Sequence, residues 1–289
     1  MDIITQLNKF TKEFDLYAKK FMLGYKNSSV LFKSMNYGLT NGGKRIRPFV
    51  IKEFSKQLGI PKKRYMRLAI ATELVHSYSL IHDDLPAMDD DDFRRGKITT
   101  HKKFGEGIAI LAGNSLLTLA FEILSEKDTH ASESVRLRLI HELSKLTGYL
   151  GLAGGQAEDL LISDHKKMLT RKKSLDIHEA KTAKLFEYCL VSTLILNQVS
   201  KSSIINDVRK FGRNFGMIFQ ATDDLLDFQE IGSSKNNLDG PNILHHMSCE
   251  DVRMYCINLA DECTKNSVYF SKKQNNLHRL IYGIIDRKK

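Results

Sequence analysis

The spacing of apolar residues constrains the fold of this chain most, because they recur three and four positions apart along most of its length. Such spacing places apolar side chains on one face of an α-helix, whereas strand-like alternation bounded by turn residues is essentially absent. The sequence therefore predicts an all-α fold. The helical pattern covers residues 2–22, 46–58, 64–83, 104–125, 132–150, 174–198, 203–228 and 249–270.

No segment of the chain has the composition of a linker between domains. The 289 residues contain four prolines, no Gly/Ser tract and no repeat, and 42% of them are hydrophobic. That is enough to bury one large core, so we predict a single domain over residues 1–289. The four cysteines lack disulfide-framework and metal-ligand spacing, and the N-terminus does not resemble a signal peptide. Both features favour a cytoplasmic protein with free thiols.

The formal net charge of +10 raises nucleic acid and membrane surfaces as partners. The basic residues are scattered, however, and no helix carries a basic stripe with interleaved aromatic residues, so no nucleic-acid partner is predicted. The longest apolar run, residues 108–124, is interrupted by polar residues and falls short of a bilayer span. It predicts a central buried helix without stable membrane insertion. The C-terminal Arg287-Lys288-Lys289 could contact anionic lipid headgroups.

The most acidic stretch reads LIHDDLPAMDDDDFRRG and runs from Leu80 to Gly96. Six aspartates fall within ten positions, a density of charge that is costly unless cations neutralise it. Pro86 cannot continue the preceding helix and moves Leu85 out of it. Asp83 and Asp84 therefore lie at a helix end, and Asp89 can fold back toward them. Alone, such a run is as often a solvated acidic loop as a metal site.

A second acidic cluster, FQATDDLLDF at 219–228, favours the metal site. Asp223 and Asp227 are four residues apart and share a helix face, whereas Asp224 is rotated aside. Their carboxylates repel each other, and the apolar residues around them suggest partial burial, so a metal would compensate the charge. Oxygen ligands with room for water suit Mg²⁺, which usually completes its shell with substrate phosphate.

A basic loop, GGKRIRP at 42–48, precedes a helical run. Glycines allow close approach to a ligand, and lysine and arginine side chains donate to phosphate. His76 lies two helical turns before Asp83 and can share its face. Taken alone, a basic loop is more often solvated and a single helix histidine is more often structural.

These segments, in this order, resemble the motifs of the trans-isoprenyl diphosphate synthases, the polyprenyl synthetase family. The likeness runs through GGKRIRP, HSYSLIHDDLPAMDDDDFRRG, FGEGIAILAGNSLL, GGQAEDL, the dipeptide KT at 181 and 182, and FQATDDLLD. It is strongest to bacterial members that make a fifteen-carbon product. The resemblance implies one large antiparallel helical bundle with a central apolar cavity, in which the two aspartate clusters face each other, and a homodimer.

The resemblance also implies the reaction and its site. The enzyme would condense isopentenyl diphosphate with dimethylallyl or geranyl diphosphate, head to tail and with Mg²⁺, to give mainly farnesyl diphosphate. By resemblance, the Mg²⁺ ligands are Asp83, Asp84, Asp89, Asp223 and Asp227. Isopentenyl diphosphate is held by Lys44, Arg47, His76 and Arg95, and the allylic diphosphate by Arg94 and Lys181. Thr182 and Gln220 direct oxygen dipoles at the cation, and Gly155, Gln156 and Asp159 lie near the metals.

Two residues just before the first aspartate motif are predicted to set product length. Tyr78 and Ser79 precede Asp83 by about one helical turn, along the wall that a growing chain would follow. Tyr78 is bulky enough to floor the cavity, and an aromatic residue at this position accompanies a fifteen-carbon product in the family. The alternative is an ordinary core tyrosine.

The chain departs from the family pattern at three places, and other functions stay open. Asn237 occupies the position of a family lysine that reaches the allylic diphosphate from a loop, and Lys235 could take the place of that lysine. Asn114 stands where the family commonly has an aspartate, and KTAKL stands where it has KTGAL.

The open alternatives are a geranylgeranyl diphosphate synthase, a weakly active partner subunit of a heteromeric synthase, and a class I terpene cyclase. The cyclases usually replace the second aspartate motif with an Asn/Ser/Glu motif, which we do not find here.

Overall fold

The structure, a computed structural model, describes residues 2–164, 169–230, 232, 238–265, 267–272 and 275–287. Within these residues the regular structure is helical except for one hairpin of two-residue strands. The predicted all-α fold is therefore confirmed. The chain divides into two compact units, the first ending at Ile140 and the second beginning at His141. The single domain over residues 1–289 stays a prediction.

The helices and strands have the following bounds in chain order. They are α1 (Ile3–Leu23), α2 (Val30–Thr40), α3 (Ile46–Gln57), α4 (Lys62–Asp83), β1 (Phe93–Arg94), β2 (Lys97–Ile98), α5 (Thr100–Phe104), α6 (Glu106–Ser125), α7 (Glu133–Thr147), α8 (Leu152–Asp164), α9 (Arg171–His178), α10 (Lys184–Leu196), α11 (Ser202–Glu230), α12 (Cys249–Thr264) and α13 (Asn276–Ile285). A π-helical turn, Glu179–Ala183, joins α9 to α10, and a 3₁₀ turn, Ile243–His245, precedes α12.

The first unit is built around α4, which packs on α6, α3 and α2. Most of its residues are buried, and the apolar positions run almost all round the helix, as expected of a core helix. The hairpin of β1 and β2 follows the aspartate loop and pairs Phe93 with Ile98 and Arg94 with Lys97. Its turn residues, Arg95 and Gly96, both have positive φ angles, as hairpin turns of two residues require.

The second unit is built around α11, which packs on α10, α12, α13 and the π-helical turn. Aromatic rings fill this core: Phe211 stacks on Phe270 with ring centroids 3.6 Å apart, and Phe186 lies 5.1 Å from Phe215. The helix α12 begins with Ser248 and Asp251 in a reciprocal capping box. Their spacing in the sequence predicts this helix start, and the structure confirms it.

Helix α6 contains the apolar run for which we predict a central buried helix. The prediction that this run falls short of a membrane span is wrong for the helix, whose length and hydropathy suffice for one. The signal is weak, however, because 44% of its most apolar window is buried inside the protein. One face packs on α4, whereas Ile110 and Leu111 on the other face are 42% and 51% exposed. Helix α6 is therefore buried on the face that packs on α4, and its opposite face is apolar but partly exposed.

Candidate active site

The first aspartate loop begins where the sequence predicts. Helix α4 ends at Asp83, and Asp84 caps it two residues before Pro86. The loop then folds back, because the Asp89 backbone N–H donates to the Asp83 carbonyl oxygen at 2.9 Å. Asp83 is half-buried and Asp89 is exposed, so the carboxylates lie at a helix end that solvent reaches.

Asp84 is buried at the start of this loop and pairs with an arginine. Its carboxylate accepts a hydrogen bond from the Arg94 guanidinium, which also reaches Asp91 at 3.2 Å. Burial raises the pKa of the Asp84 carboxyl, although Arg94 opposes this effect. Asp84, a predicted Mg²⁺ ligand, and Arg94, a predicted contact of the allylic diphosphate, therefore form an ion pair in this structure.

A second group of possible metal ligands lies close in sequence to the predicted ligands of the first aspartate loop. In the described part of the chain, Asp90, Asp92 and His101 have ligand atoms within 4.8 Å of one another. Asp83, Asp84 and Asp89 lie outside this group, and their roles as Mg²⁺ ligands stay predictions. The Asp92 carboxylate also meets Lys102 at 2.7 Å, which neutralises part of its charge.

The predicted basic site is gathered in one place of the first unit. The Arg47 guanidinium lies 3.4 Å from His76 Nε2, and Arg95 donates to the Gly42 carbonyl oxygen at 2.5 Å. Gly43 has a φ of 133°, which favours glycine, and an added side chain there would displace the Arg95 guanidinium from the loop. Lys44 is exposed beside them. The structure thus brings three of the four predicted residues together.

Burial and the charge of this cluster favour the neutral form of its histidine. Burial and the nearby Arg47 and Arg95 hold the pKa of His76 well below its usual value. A neutral imidazole can donate one hydrogen bond and accept another, whereas the surrounding guanidinium groups can only donate. The concentration of positive charge is what binding of a polyanion such as a diphosphate requires.

Arg45, in the same basic loop, turns inward. It has a left-handed backbone with φ of 50°, and its side chain is buried between Asp15 at 2.8 Å and Glu73 at 2.6 Å. It also donates to the Leu39 carbonyl oxygen at 2.8 Å. Residue type alone does not separate this arginine from Lys44 and Arg47. The family resemblance names only those two as ligands, and the inward side chain of Arg45 agrees with its omission.

The two product-length candidates lie on α4 near the aspartate loop. The Tyr78 ring makes an edge contact with the His82 imidazole, with ring centroids 5.5 Å apart. Burial and the Asp83 charge raise the pKa of the Tyr78 phenol. Ser79 is buried and its hydroxyl donates to the His76 carbonyl oxygen at 3.0 Å, so it presents little bulk.

The predicted residues Lys181 and Thr182 lie in the π-helical turn of the second unit. Turns of this kind occur often at functional sites. Added methyl groups at Gly155 and Gly216 would overlap the turn's backbone, at Lys181 and Ala183 respectively. Two glycines therefore let α8 and α11 approach the turn from two sides, which fixes the residues that it carries.

Lys181 binds Asp159, the second of the two acidic residues in the GGQAEDL motif. Its Nζ lies 2.5 Å from Asp159 Oδ2, and both residues are only partly exposed. The Gln156 side chain is buried, and neither its oxygen nor its nitrogen is hydrogen-bonded within the described residues. Buried amides are normally hydrogen-bonded, so Gln156 is a candidate for contact with a ligand.

The second aspartate motif contacts a residue that sequence reasoning missed. The Arg287 guanidinium, 9% exposed, donates to the Asp223 carboxylate and, at 2.9 Å, to the Thr222 hydroxyl. It also lies over the Phe219 ring, 4.8 Å from its centroid. Its predicted contact with lipid headgroups is therefore wrong for Arg287. Lys288 and Lys289 lie outside the described residues, as do Lys235 and Asn237.

Asp227 is exposed one helical turn after Asp223. Desolvation by the surrounding protein and the charges of Asp223 and Asp224 raise the pKa of its carboxyl to about 6. Repulsion by Asp223 and Asp224 contributes to this shift after desolvation, and a cation bound to the motif would oppose both effects.

An all-α protein with two aspartate-rich segments and a cluster of arginines has the features of an isoprenoid synthase. The sequence matches the Polyprenyl synthetase family over residues 28–238, which is more than half of the chain. The chain therefore belongs to this family, as predicted.

Named relatives agree with this assignment. The chain is 40% identical to the farnesyl diphosphate synthase of Bacillus subtilis over 231 residues, covering 78% of this chain and 72% of the relative. It is 37% identical to the farnesyl diphosphate synthase of Micrococcus luteus over 272 residues, 90% of each chain. The crystal structure of an FPP/GFPP synthase from Zymomonas mobilis is similar with a TM-score of 0.87 and 30% identity, covering 97% of this chain and 99% of that one.

Proposed function

We propose that this chain is a prenyltransferase that condenses isopentenyl diphosphate with dimethylallyl or geranyl diphosphate to give mainly farnesyl diphosphate. Family membership and relatives of that name support the proposal. The observation that carries it is the cluster of Arg47 from the GGKRIRP segment, His76 from α4 and Arg95 from the hairpin turn. Guanidinium groups gathered around a neutral histidine provide the donors that a diphosphate needs.

The chain's own carboxylates fit Mg²⁺. A backbone hydrogen bond joins Asp89 to Asp83 at one helix end, and the Asp223 carboxylate accepts from a cationic group, the Arg287 guanidinium. The donors are oxygen atoms, which suit this ion. We propose Asp83, Asp84, Asp89, Asp223 and Asp227 as the residues that hold it. When bound, Mg²⁺ would neutralise the allylic diphosphate and stabilise the charge of the leaving group.

The side chains divide the remaining chemistry among them. Lys44, Arg47, His76 and Arg95 hold isopentenyl diphosphate. The diphosphate of the allylic substrate departs and leaves an allylic cation, which the double bond of isopentenyl diphosphate attacks. Arg94 and Lys181 bind the departed diphosphate, which takes the proton released when the new carbon–carbon bond forms. Thr182 and Gln220 present oxygen atoms to the allylic cation, and the apolar walls exclude water, which would convert it to an alcohol.

Product formation tests this proposal directly. Purified protein would be incubated with Mg²⁺, labelled isopentenyl diphosphate and either dimethylallyl or geranyl diphosphate, and the products sized by chromatography. We expect mainly a fifteen-carbon product that depends on both substrates. A cyclic hydrocarbon from the allylic substrate alone would favour a terpene cyclase, and activity only with a second subunit would favour the partner-subunit alternative.

We predict that Tyr78→Ala shifts the products toward chains of twenty carbons or more. The tyrosine lies one turn before Asp83, where loss of its ring would open the path of the growing chain. Chromatography of the hydrolysed products measures the shift. Tyr65→Ala is the control, because Tyr65 is a buried tyrosine of the same helix near its start. An unchanged fifteen-carbon profile at comparable activity would exclude Tyr78 as the stop, and long wild-type products would support the geranylgeranyl alternative.

We predict that Arg287→Gln strengthens divalent-cation binding about three- to tenfold when substrate is absent, because it removes a competing cation from Asp223. Mn²⁺ titration by electron paramagnetic resonance and the Mg²⁺-induced rise in Tm measure the effect. Arg253→Gln makes the same change of charge at an exposed position of α12. Equal affinities in the two variants would show that Arg287 does not compete with the metal.

We propose that the protein is a cytoplasmic homodimer. The four cysteines are free thiols, three of them buried, which suits a reducing compartment. The exposed Ile110 and Leu111 of α6 offer an apolar surface of the kind that a second copy could cover. Sedimentation velocity of the wild type and of an Ile110→Glu, Leu111→Glu variant tests this, with a monomeric variant expected.

A further inference from the structure

A chain of hydrogen bonds crosses the second unit from the π-helical turn to the second aspartate motif. The Thr182 hydroxyl lies 2.8 Å from Gln220 Oε1, and Gln220 Nε2 lies 3.0 Å from Asp224 Oδ1. The other oxygen of Asp224 accepts the Ile243 backbone N–H at 2.7 Å. Thr182 and Asp224, at the two ends of the chain of bonds, are buried, and Gln220 between them is partly exposed.

The chemistry of the groups fixes the direction of every bond in this chain. The Asp224 carboxylate only accepts, and therefore the Gln220 NH₂ group faces it and the Gln220 oxygen faces Thr182. An amide oxygen also only accepts, so the Thr182 hydroxyl must donate its proton to Gln220. The lone pairs of the Thr182 oxygen then point away from Gln220, which makes that oxygen a negative dipole end.

The direction matters if Thr182 faces an allylic cation, as the proposed function has it. A hydroxyl that directs its lone pairs at developing positive charge stabilises that charge, whereas one that directs its proton at the charge repels it. Turning the Gln220 amide by half a rotation would exchange the two arrangements. The orientation of one amide group therefore decides the sign of the electrostatic contribution that Thr182 makes.

We propose that Asp224, the second acidic residue of DDLLD, is a positioning residue that orients the Gln220 amide and, through it, the Thr182 hydroxyl. Its burial to 3% exposure and its bond to the Ile243 backbone hold the carboxylate inside the protein, on a different side of α11 from Asp223 and Asp227. Asp224 thus serves the reaction without binding the metal. This inference rests on the proposed function for its effect on rate, but the orientation itself does not depend on activity.

Asp224→Asn inverts the chain of bonds while keeping the size of the side chain. The Ile243 N–H still needs an acceptor, so the oxygen of the new asparagine faces Ile243 and its NH₂ group faces Gln220. The Gln220 amide then turns its oxygen toward the asparagine. Its own NH₂ group faces Thr182 as a result. We expect kcat to fall roughly 10- to 100-fold, with the KM of both substrates and the Mn²⁺ affinity unchanged. Asp223→Asn is the comparison and should weaken Mn²⁺ binding.

A double-mutant cycle separates positioning from a direct role. Thr182→Val removes the hydroxyl through which Asp224 acts, so adding Asp224→Asn to Thr182→Val should lower kcat no further. Additive losses would overturn the inference, as would loss of Mn²⁺ binding in Asp224→Asn. Far-ultraviolet circular dichroism and Tm establish that each variant is folded.

A nuclear magnetic resonance measurement tests the orientation of the Gln220 amide without any measurement of activity. An inactive wild type would therefore contradict the proposed function but not this inference. With ¹⁵N-labelled glutamine side chains, the Gln220 NH₂ resonance is assigned through Gln220→Glu. We expect Asp224→Asn to shift this resonance strongly and Thr182→Val to shift it weakly, because the NH₂ group faces Asp224. The reverse order would show the amide turned the other way and overturn the inference.

Discussion

Asp83→Ala and Asp223→Ala should each lower kcat at least a hundredfold. Each substitution removes an anionic ligand from a site that stabilises the charge of a departing diphosphate, where single groups contribute roughly two to three orders of magnitude. Steady-state turnover with geranyl and isopentenyl diphosphate at saturating Mg²⁺ measures the effect. Asp128→Ala, which removes an exposed carboxylate paired with Lys63, should keep the wild-type rate.

Asp223→Ala needs a further control, because it also leaves the guanidinium of Arg287 without this carboxylate. A buried charge that loses its partner destabilises the fold, and a lower rate could then reflect unfolding. The double variant Asp223→Ala, Arg287→Leu removes both charges and should recover Tm but not turnover. Wild-type rates in Asp83→Ala, or recovery of turnover in the double variant, would refute the assignment of these residues as metal ligands.

Local chemistry made much of the fold predictable. The apolar spacing locates α1, α3, α4, α6, α7 and α11 to within a few residues, and Pro86 predicts the end of α4. The start of α12 is also correct, but the helix ends at Thr264, six residues before the predicted end. Helix α2 and helix α13 were missed because they are short, with 11 and 10 residues. Helix α8 was missed because it contains Gly154 and Gly155, which have low helix propensity.

Contacts distant in sequence explain most of what could not be predicted. The local sequence HEAKTAK does not indicate a π-helical turn. The turn packs closely against Gly155 of α8 and Gly216 of α11, and these contacts cannot be inferred from its own residues. Arg287 reaches Asp223 from the other end of the unit, across 64 residues of chain. By contrast, the 3.6-residue period alone places Asp224 away from Asp223 and Asp227, and the structure adds that Asp224 is buried.

Arg45→Met is predicted to lower the free energy of unfolding by about 3–5 kcal/mol, because it breaks a buried ion pair by removing one partner. Glu73 is 3% exposed, and its second oxygen is buried without a hydrogen bond within the described residues, so its charge would lose its compensation. Burial alone would lower the pKa of Arg45, yet Glu73 and Asp15 raise it overall. Urea unfolding followed by circular dichroism measures the loss.

The matched control for Arg45→Met is Lys63→Met, which breaks the exposed pair with Asp128 and should cost about 0–1 kcal/mol. Adding Glu73→Leu to Arg45→Met should recover stability, since no isolated buried charge then remains. Because Arg45 holds the loop between Lys44 and Arg47, the double variant should still show a raised KM for isopentenyl diphosphate. A double variant with wild-type KM would show that this loop keeps its shape without the inward arginine.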